Sequence, residues 1–123
     1  MDLIDEFLEQ PVIDRVKSCW FFSILADECR DSAGKQQLAL FFRYVWFDPI
    51  SSVYSVEEDF VQFLHCPRLS GEALFNLLLS YVNRNQIPMQ NGRGQGYDGG
   101  SNISGKHNGL QAWVKRAYPK MPD

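Results

Sequence analysis

The sequence predicts an α/β domain: a helix, three antiparallel strands, a second helix, a strand parallel to the first, and a last helix. Three observations carry this reading. Apolar residues recur at three- and four-residue spacing in 2–18, 70–85 and 101–117. Three apolar runs between residues 19 and 64 are separated only by hairpin-length turn chemistry. A glycine-rich segment begins soon after the second helical pattern stops. With 123 residues, 45% of them hydrophobic and 14% aromatic, the chain can fill one packed core.

Taken in order, Leu3, Ile4, Phe7 and Leu8, then Val12, Ile13 and Val16, form one helical face. Asp2 is its candidate N-cap, and Pro11 interrupts or restarts it. Residues 19–26 are a continuous apolar run that ends in Asp27-Glu28, which predicts a strand buried on both faces with a carboxylate at its tip. That carboxylate must be solvated, paired or metal-bound. Asp31-Ser-Ala-Gly34-Lys35 is turn chemistry, so 37–47 is the antiparallel partner of the first strand. Asp48-Pro49 breaks the chain. Residues 53–64 are a third strand in which Glu57, Glu58 and Asp59 mark an exposed edge and read as a solvated face. Ser70 is expected to cap a helix whose inner stripe is Ala73, Leu74, Leu77, Leu78, Tyr81 and Val82, ending near Asn85 before Pro88. A short strand ending at Tyr97-Asp98 leads to a helix over 101–117, with Ile103, Leu110, Trp113 and Val114 inward and Lys115 and Arg116 suiting its C-terminal dipole.

The formal net charge of −3 gives no global basic footprint, which argues against tight non-specific nucleic-acid binding by this segment alone. A polyanion would be met locally or through metal ions. Cys19, Cys29 and Cys66 are odd in number and widely spaced, which points to a reducing intracellular compartment and no zinc site. No stretch reads as a signal peptide or approaches the roughly 18 apolar residues of a membrane helix, so a soluble protein without membrane contact is expected.

Gly92, Gly94, Gly96, Gly99, Gly100, Gly105 and Gly109 surround one acidic residue, Asp98. Such density predicts positive φ or close approach of backbone to something. Gly94-Gln-Gly-Tyr-Asp-Gly99 fits G-x-G-x-x-G literally. A dinucleotide site, however, needs an acidic residue about 20 residues on, and Asp98 inside the cradle would repel the pyrophosphate. The segment from Gly100 to Lys106 nearly fits a phosphate-binding loop, with His107 where Ser or Thr must ligate Mg²⁺. The plain alternative is a glycine-rich turn that ends a strand and opens a helix. The crossover helix makes the fourth strand parallel to the first, so as neighbours they bring Asp27 and Asp98 together at their carboxyl ends. Two carboxylates there can hold divalent cations through oxygen. This order of elements is how a ribonuclease H-like fold begins.

Ser23-Ile-Leu-Ala-Asp-Glu28, Asp31, Gln37-Leu38, Arg43-Tyr44-Val45 and Gly94-Gln-Gly-Tyr-Asp-Gly99, followed by Ser101-Asn102 and Ser104-Gly105-Lys106, resemble the start of the catalytic domain of hAT superfamily transposases. The resemblance runs over 21–119 and is greatest to transposase-derived proteins of the zinc-finger MYM and THAP types. It implies a nuclear DDE-type nuclease and strand transferase, in which three acidic residues hold two Mg²⁺ or Mn²⁺ ions against DNA. Asp27 matches the first catalytic, metal-binding aspartate and Asp98 the second. Glu28 and Asp31 would support them, and Lys106 and His107 could face phosphate. Departures are Cys29-Arg30 in place of Thr or Ser, and Gly92 in place of Cys.

The family pattern places a fifth strand and the third acidic residue after a Tyr-Pro-Lys like that at 118–120. The expectation is therefore an N-terminal helical segment, 1–18, and a truncated ribonuclease H-like transposase domain, 19–123. It would bind metal weakly, be inactive alone, and leave an open sheet edge for a protein partner or homo-oligomer to cover. A domesticated, non-catalytic DNA- or protein-interaction domain is the rival expectation.

Overall fold

Turn chemistry sets the strand order. After β1 (Phe22–Arg30), the Asp31 carboxylate accepts hydrogen bonds from the backbone N–H of Ala33 and Lys35, each at 2.9 Å, and Gly34 takes φ +79° to close the hairpin. β2 (Gln36–Asp48) ends at a second side-chain clamp. There Asp48 accepts from the Ile50 N–H at 2.9 Å and from the Ser51 hydroxyl at 3.1 Å, which holds its carboxyl below the usual range. β3 (Val53–His65) returns antiparallel. The structure, a computed structural model, describes residues 3–65, 70–98 and 109–121, with side chains from residue 9 onward.

The helix α1 (Leu3–Ser18) precedes the meander, and α2 (Gly71–Arg84) follows it. Ser70 caps α2 by accepting from the Ala73 N–H at 3.1 Å, and Asn85 closes its other end. A single 3₁₀ turn, Met89–Asn91, leads into β4 (Gly92–Asp98), and α3 (Leu110–Ala117) ends the described fold. The sheet order is β3-β2-β1-β4, with β4 parallel to β1 and the other pairings antiparallel. This is the mixed α/β arrangement expected from the sequence.

One sheet face supplies Phe22 and Ile24 from β1, Leu38, Leu40 and Phe42 from β2, and Val61 and Leu64 from β3. They join Ile13 and Val16 of α1, Leu74, Leu78 and Val82 of α2, and Leu110 and Val114 of α3 in one core. Two tyrosine hydroxyls at its rim are partnered. Tyr81 donates to Glu9 at 2.5 Å, and Tyr44 donates to Asp59 at 2.5 Å. The other sheet face stays open among the described residues, with Val45, Phe47, Tyr54, Val56, Phe60 and Phe63 all exposed.

Three expectations change. α1 runs through Pro11 instead of breaking there. Pro11 is exposed, so water can satisfy the carbonyl that the ring leaves unpaired. β1 starts at Phe22 and continues past Asp27 to Arg30, while Trp20 and Phe21 lie in an exposed connector. Among the described residues the strand is also fully buried on one face and only half-buried on the other, because an unbroken apolar run does not distinguish burial on two faces from burial on one. Asp2, Cys66 and the expected helical residues 101–108, including Ile103, lie outside the described residues.

The two tyrosines give the fold an alkaline limit. Burial, reinforced by the hydrogen bond to Asp59, pushes the Tyr44 phenol up from 10.0 to about 12, and burial with the Glu9 carboxylate pushes Tyr81 up as well. The folded chain holds these protons more tightly than the unfolded one. The stabilisation from Tyr44 is complete below the unfolded value of 10.0 and is lost as pH rises through the folded value of about 12, and that from Tyr81 is lost over a range reaching higher still. Urea unfolding at rising pH across that window should show declining stability. Tyr44→Phe should remove part of the slope and Tyr81→Phe the rest; an unchanged slope in both variants counts against this origin.

Candidate functional site

Alternation along β4 divides Gly-Gln-Gly-Tyr-Asp between the two faces. Gln95 and Tyr97 are paired with Ile24 and Ala26 of β1 on the core side, whereas Gly94, Gly96 and Asp98 are paired with Ser23, Leu25 and Asp27 on the open side. Asp27 and Asp98 are therefore direct register partners in neighbouring parallel strands, and both are exposed. Strands in a ladder lie about 4.8 Å apart, so the two carboxylates stand side by side. They line a cleft of about 260 Å³ together with Leu25, Phe41, Glu58, Gly96 and Tyr97.

The glycines of β4 do not serve positive φ; among the described glycines only Gly34 has it. What approaches closely is this chain's own side chains. A Cβ on Gly96 would stand 2.9 Å from Leu25 Cδ2, so Leu25 lies across the glycine and forms the floor of the cleft. We expect Gly96→Val to push Leu25 aside and lower stability by no more than about 1 kcal/mol, because the atom it meets is the end of a flexible side chain. The cost should fall in the double variant Gly96→Val/Leu25→Ala, read as a coupling in urea unfolding; purely additive effects would contradict the packing account.

Gln95 has a role that its sequence context hides. Its side chain is 6% exposed, and its amide Nε2 donates to the carbonyls of Gln111 at 3.1 Å and Met121 at 3.0 Å. Its Oε1 accepts from the Tyr97 hydroxyl at 2.6 Å. One amide thus fastens β4 to α3 and to the segment after it, and holds the strand that carries Asp98 in place. The only cue in the sequence is period-two alternation, which puts Gln95 and Tyr97 on the face opposite Asp98.

The remaining expected residues separate. Asp31 holds the hairpin turn, and half-buried Glu28 is paired with Leu38 on the core side of the sheet. Lys106 and His107 lie outside the described residues. Glu58, read from sequence as part of a solvated run, lines the aspartate cleft. Glu57 and Asp59 alternate to the other face, where Asp59 accepts from Tyr44. Among the described residues no group of three or more His, Cys, Asp or Glu side chains could hold a metal ion. The donor set is a carboxylate pair, which suits a hydrated hard cation that keeps several waters better than one caged by protein.

The family model described as ZMYM1/FAM200, RNase-like domain (DUF4371) matches residues 4–109. The chain belongs to this family. The match begins within α1, takes in the whole sheet and stops just before α3. Within this RNase-like family, a ribonuclease H-like, transposase-derived domain agrees with the four-stranded mixed sheet described above. No solved structure matches the chain. No helix among the described residues is long and apolar enough to cross a membrane.

Proposed function

We propose that this RNase-like domain is a degenerate catalytic domain of hAT-transposase type, in which Asp27 and Asp98 still bind Mg²⁺ or Mn²⁺ weakly and which does not cleave DNA by itself. The supporting observation is the direct register pairing of Asp27 with Asp98 on the open face. When bound there, a divalent cation supplies Lewis-acid activation of water or a 3′-hydroxyl and offsets the charge of a DNA phosphate. The chain's own part is positional. β1 and β4 present the two carboxylates in one row, Leu25 fills the floor where Gly96 has no side chain, and Phe41 forms an apolar wall. DNA as partner and the nucleus as location follow from the same reading.

A Mn²⁺ titration followed by backbone NMR tests it. Broadening should centre on residues 27 and 98 at one common affinity, and Asp98→Asn should weaken that affinity by at least about tenfold. If neither site broadens in folded protein, or the variant binds as well as the parent, the metal reading falls. The domesticated, non-catalytic interaction domain then stands, a second reading that the exposed apolar face favours.

A further inference from the structure

The open face is most apolar along the β2–β3 ribbon. Val45, Phe47, Tyr54, Val56, Phe60 and Phe63 are between 38% and 71% exposed there, and clustered exposed apolar side chains of this kind mark interaction surfaces. They are in cross-strand rows: Val45 opposite Val56, and Phe47 opposite Tyr54 with ring centroids 4.8 Å apart. In the middle of the ribbon one row is charged, with exposed Arg43 opposite exposed Glu58.

We propose that this ribbon is the interface of a symmetric dimer of the chain. A twofold interface must be self-complementary. An axis running along the ribbon between β2 and β3 lays each β2 over the other copy's β3. Arg43 then faces the partner's Glu58, Val45 faces the partner's Val56, and Phe47 faces the partner's Tyr54. An axis across the strands stacks Arg43 on the partner's Arg43 and is disfavoured by like charge. Two 13-residue strands at about 3.3 Å per residue and 4.8 Å apart give a footprint of roughly 400 Å². With side-chain relief, that is roughly 500–600 Å² buried per copy, the low end of specific interfaces. The dimer is accordingly reversible, as two stacked ribbons crossing at the angle that sheet twist imposes. β1 and β4 lie outside the overlap, so Asp27 and Asp98 take no part in it, and the interface meets their cleft at its Glu58 wall.

Sedimentation velocity on the full chain from about 5 to 500 µM tests it, with an expected dimer dissociation constant on the order of 10–100 µM. Glu58→Arg or Arg43→Glu alone should raise that constant at least about tenfold. The exchange Arg43→Glu/Glu58→Arg should return it to within about threefold of the parent. Val56→Asp should be monomeric, and Asp98→Asn should dimerise like the parent, with circular dichroism confirming that each variant is folded. The proposal is overturned by a parent that stays monomeric throughout the range, by single reversals without effect, or by an exchange no better than either reversal alone. It is also overturned if the chain stays monomeric while an added amphipathic helical peptide shifts the emission of exposed Trp20, since the face would then belong to a helix.

Discussion

Gln95→Leu is expected to lower the free energy of unfolding by about 3 kcal/mol, seen as a fall in the urea midpoint at unchanged slope. Leucine fills nearly the same volume, so the loss is not one of packing. It takes the amide donor from the buried carbonyl of Met121, and removes one hydrogen bond each from the part-buried carbonyl of Gln111 and hydroxyl of Tyr97. A buried polar group left without a partner costs more than its hydrogen bond contributes when made. Gln95→Glu sharpens the test by putting a carboxylate oxygen against two carbonyl oxygens. Burial would hold that carboxyl protonated in the folded state more firmly than in the unfolded one. The variant should therefore be more stable in acid and lose stability as pH rises above the usual glutamate range, the opposite of ordinary acid denaturation. A Leu variant within about 0.5 kcal/mol of the parent would show that the amide is dispensable.

Val16→Asp is the second large effect. Val16 is 0% exposed on α1, beside Ile13 at 1%, and both belong to the core that β2 and β3 share. An unpaired carboxylate there should destabilise by about 4 kcal/mol or more, enough to unfold a domain of ordinary stability. Val16→Ala should cost about 1–2 kcal/mol, because it only removes two buried methyl groups. Circular dichroism of the sheet is the readout. A native sheet signal in Val16→Asp would mean that 1–18 is a separable segment, and loss of sheet and helix together would mean that α1 is integral to the core.

Much of the fold was legible because its signals are local. Asp31 with Gly34, Asp48 with Pro49, and Ser70 each act within a few residues, and each marks the turn or cap that the sequence predicts. The adjacency of Asp27 and Asp98 was legible for a different reason: a helical crossover returns a strand parallel to its neighbour, and that rule needs no side-chain detail. What escaped depends on side chains reaching across the sheet. Gln95 sits between two glycines, and nothing nearby announces that its partners are the backbone of Gln111 and Met121. Glu58 belongs to a run of three acids that looks uniform until pairing with Arg43 shows which of them turns to the open face. The glycines drew attention toward a ligand when Gly96 makes room for Leu25.

The strand pairings also imply an order of assembly. β1, β2 and β3 meet through two short turns, so their contacts close small loops and can form early. β4 pairs with β1 only after the chain has passed through β2, β3 and α2, a far larger loop whose closure is entropically costly. Among the described residues it is also an edge strand, joined to α3 and Met121 through the Gln95 amide. Native-state hydrogen exchange should therefore find β4 opening before the meander does. Asp27 has its acidic neighbour only while that last strand is docked, so the carboxylate pair is a product of completed folding and dissolves first when the domain begins to fray.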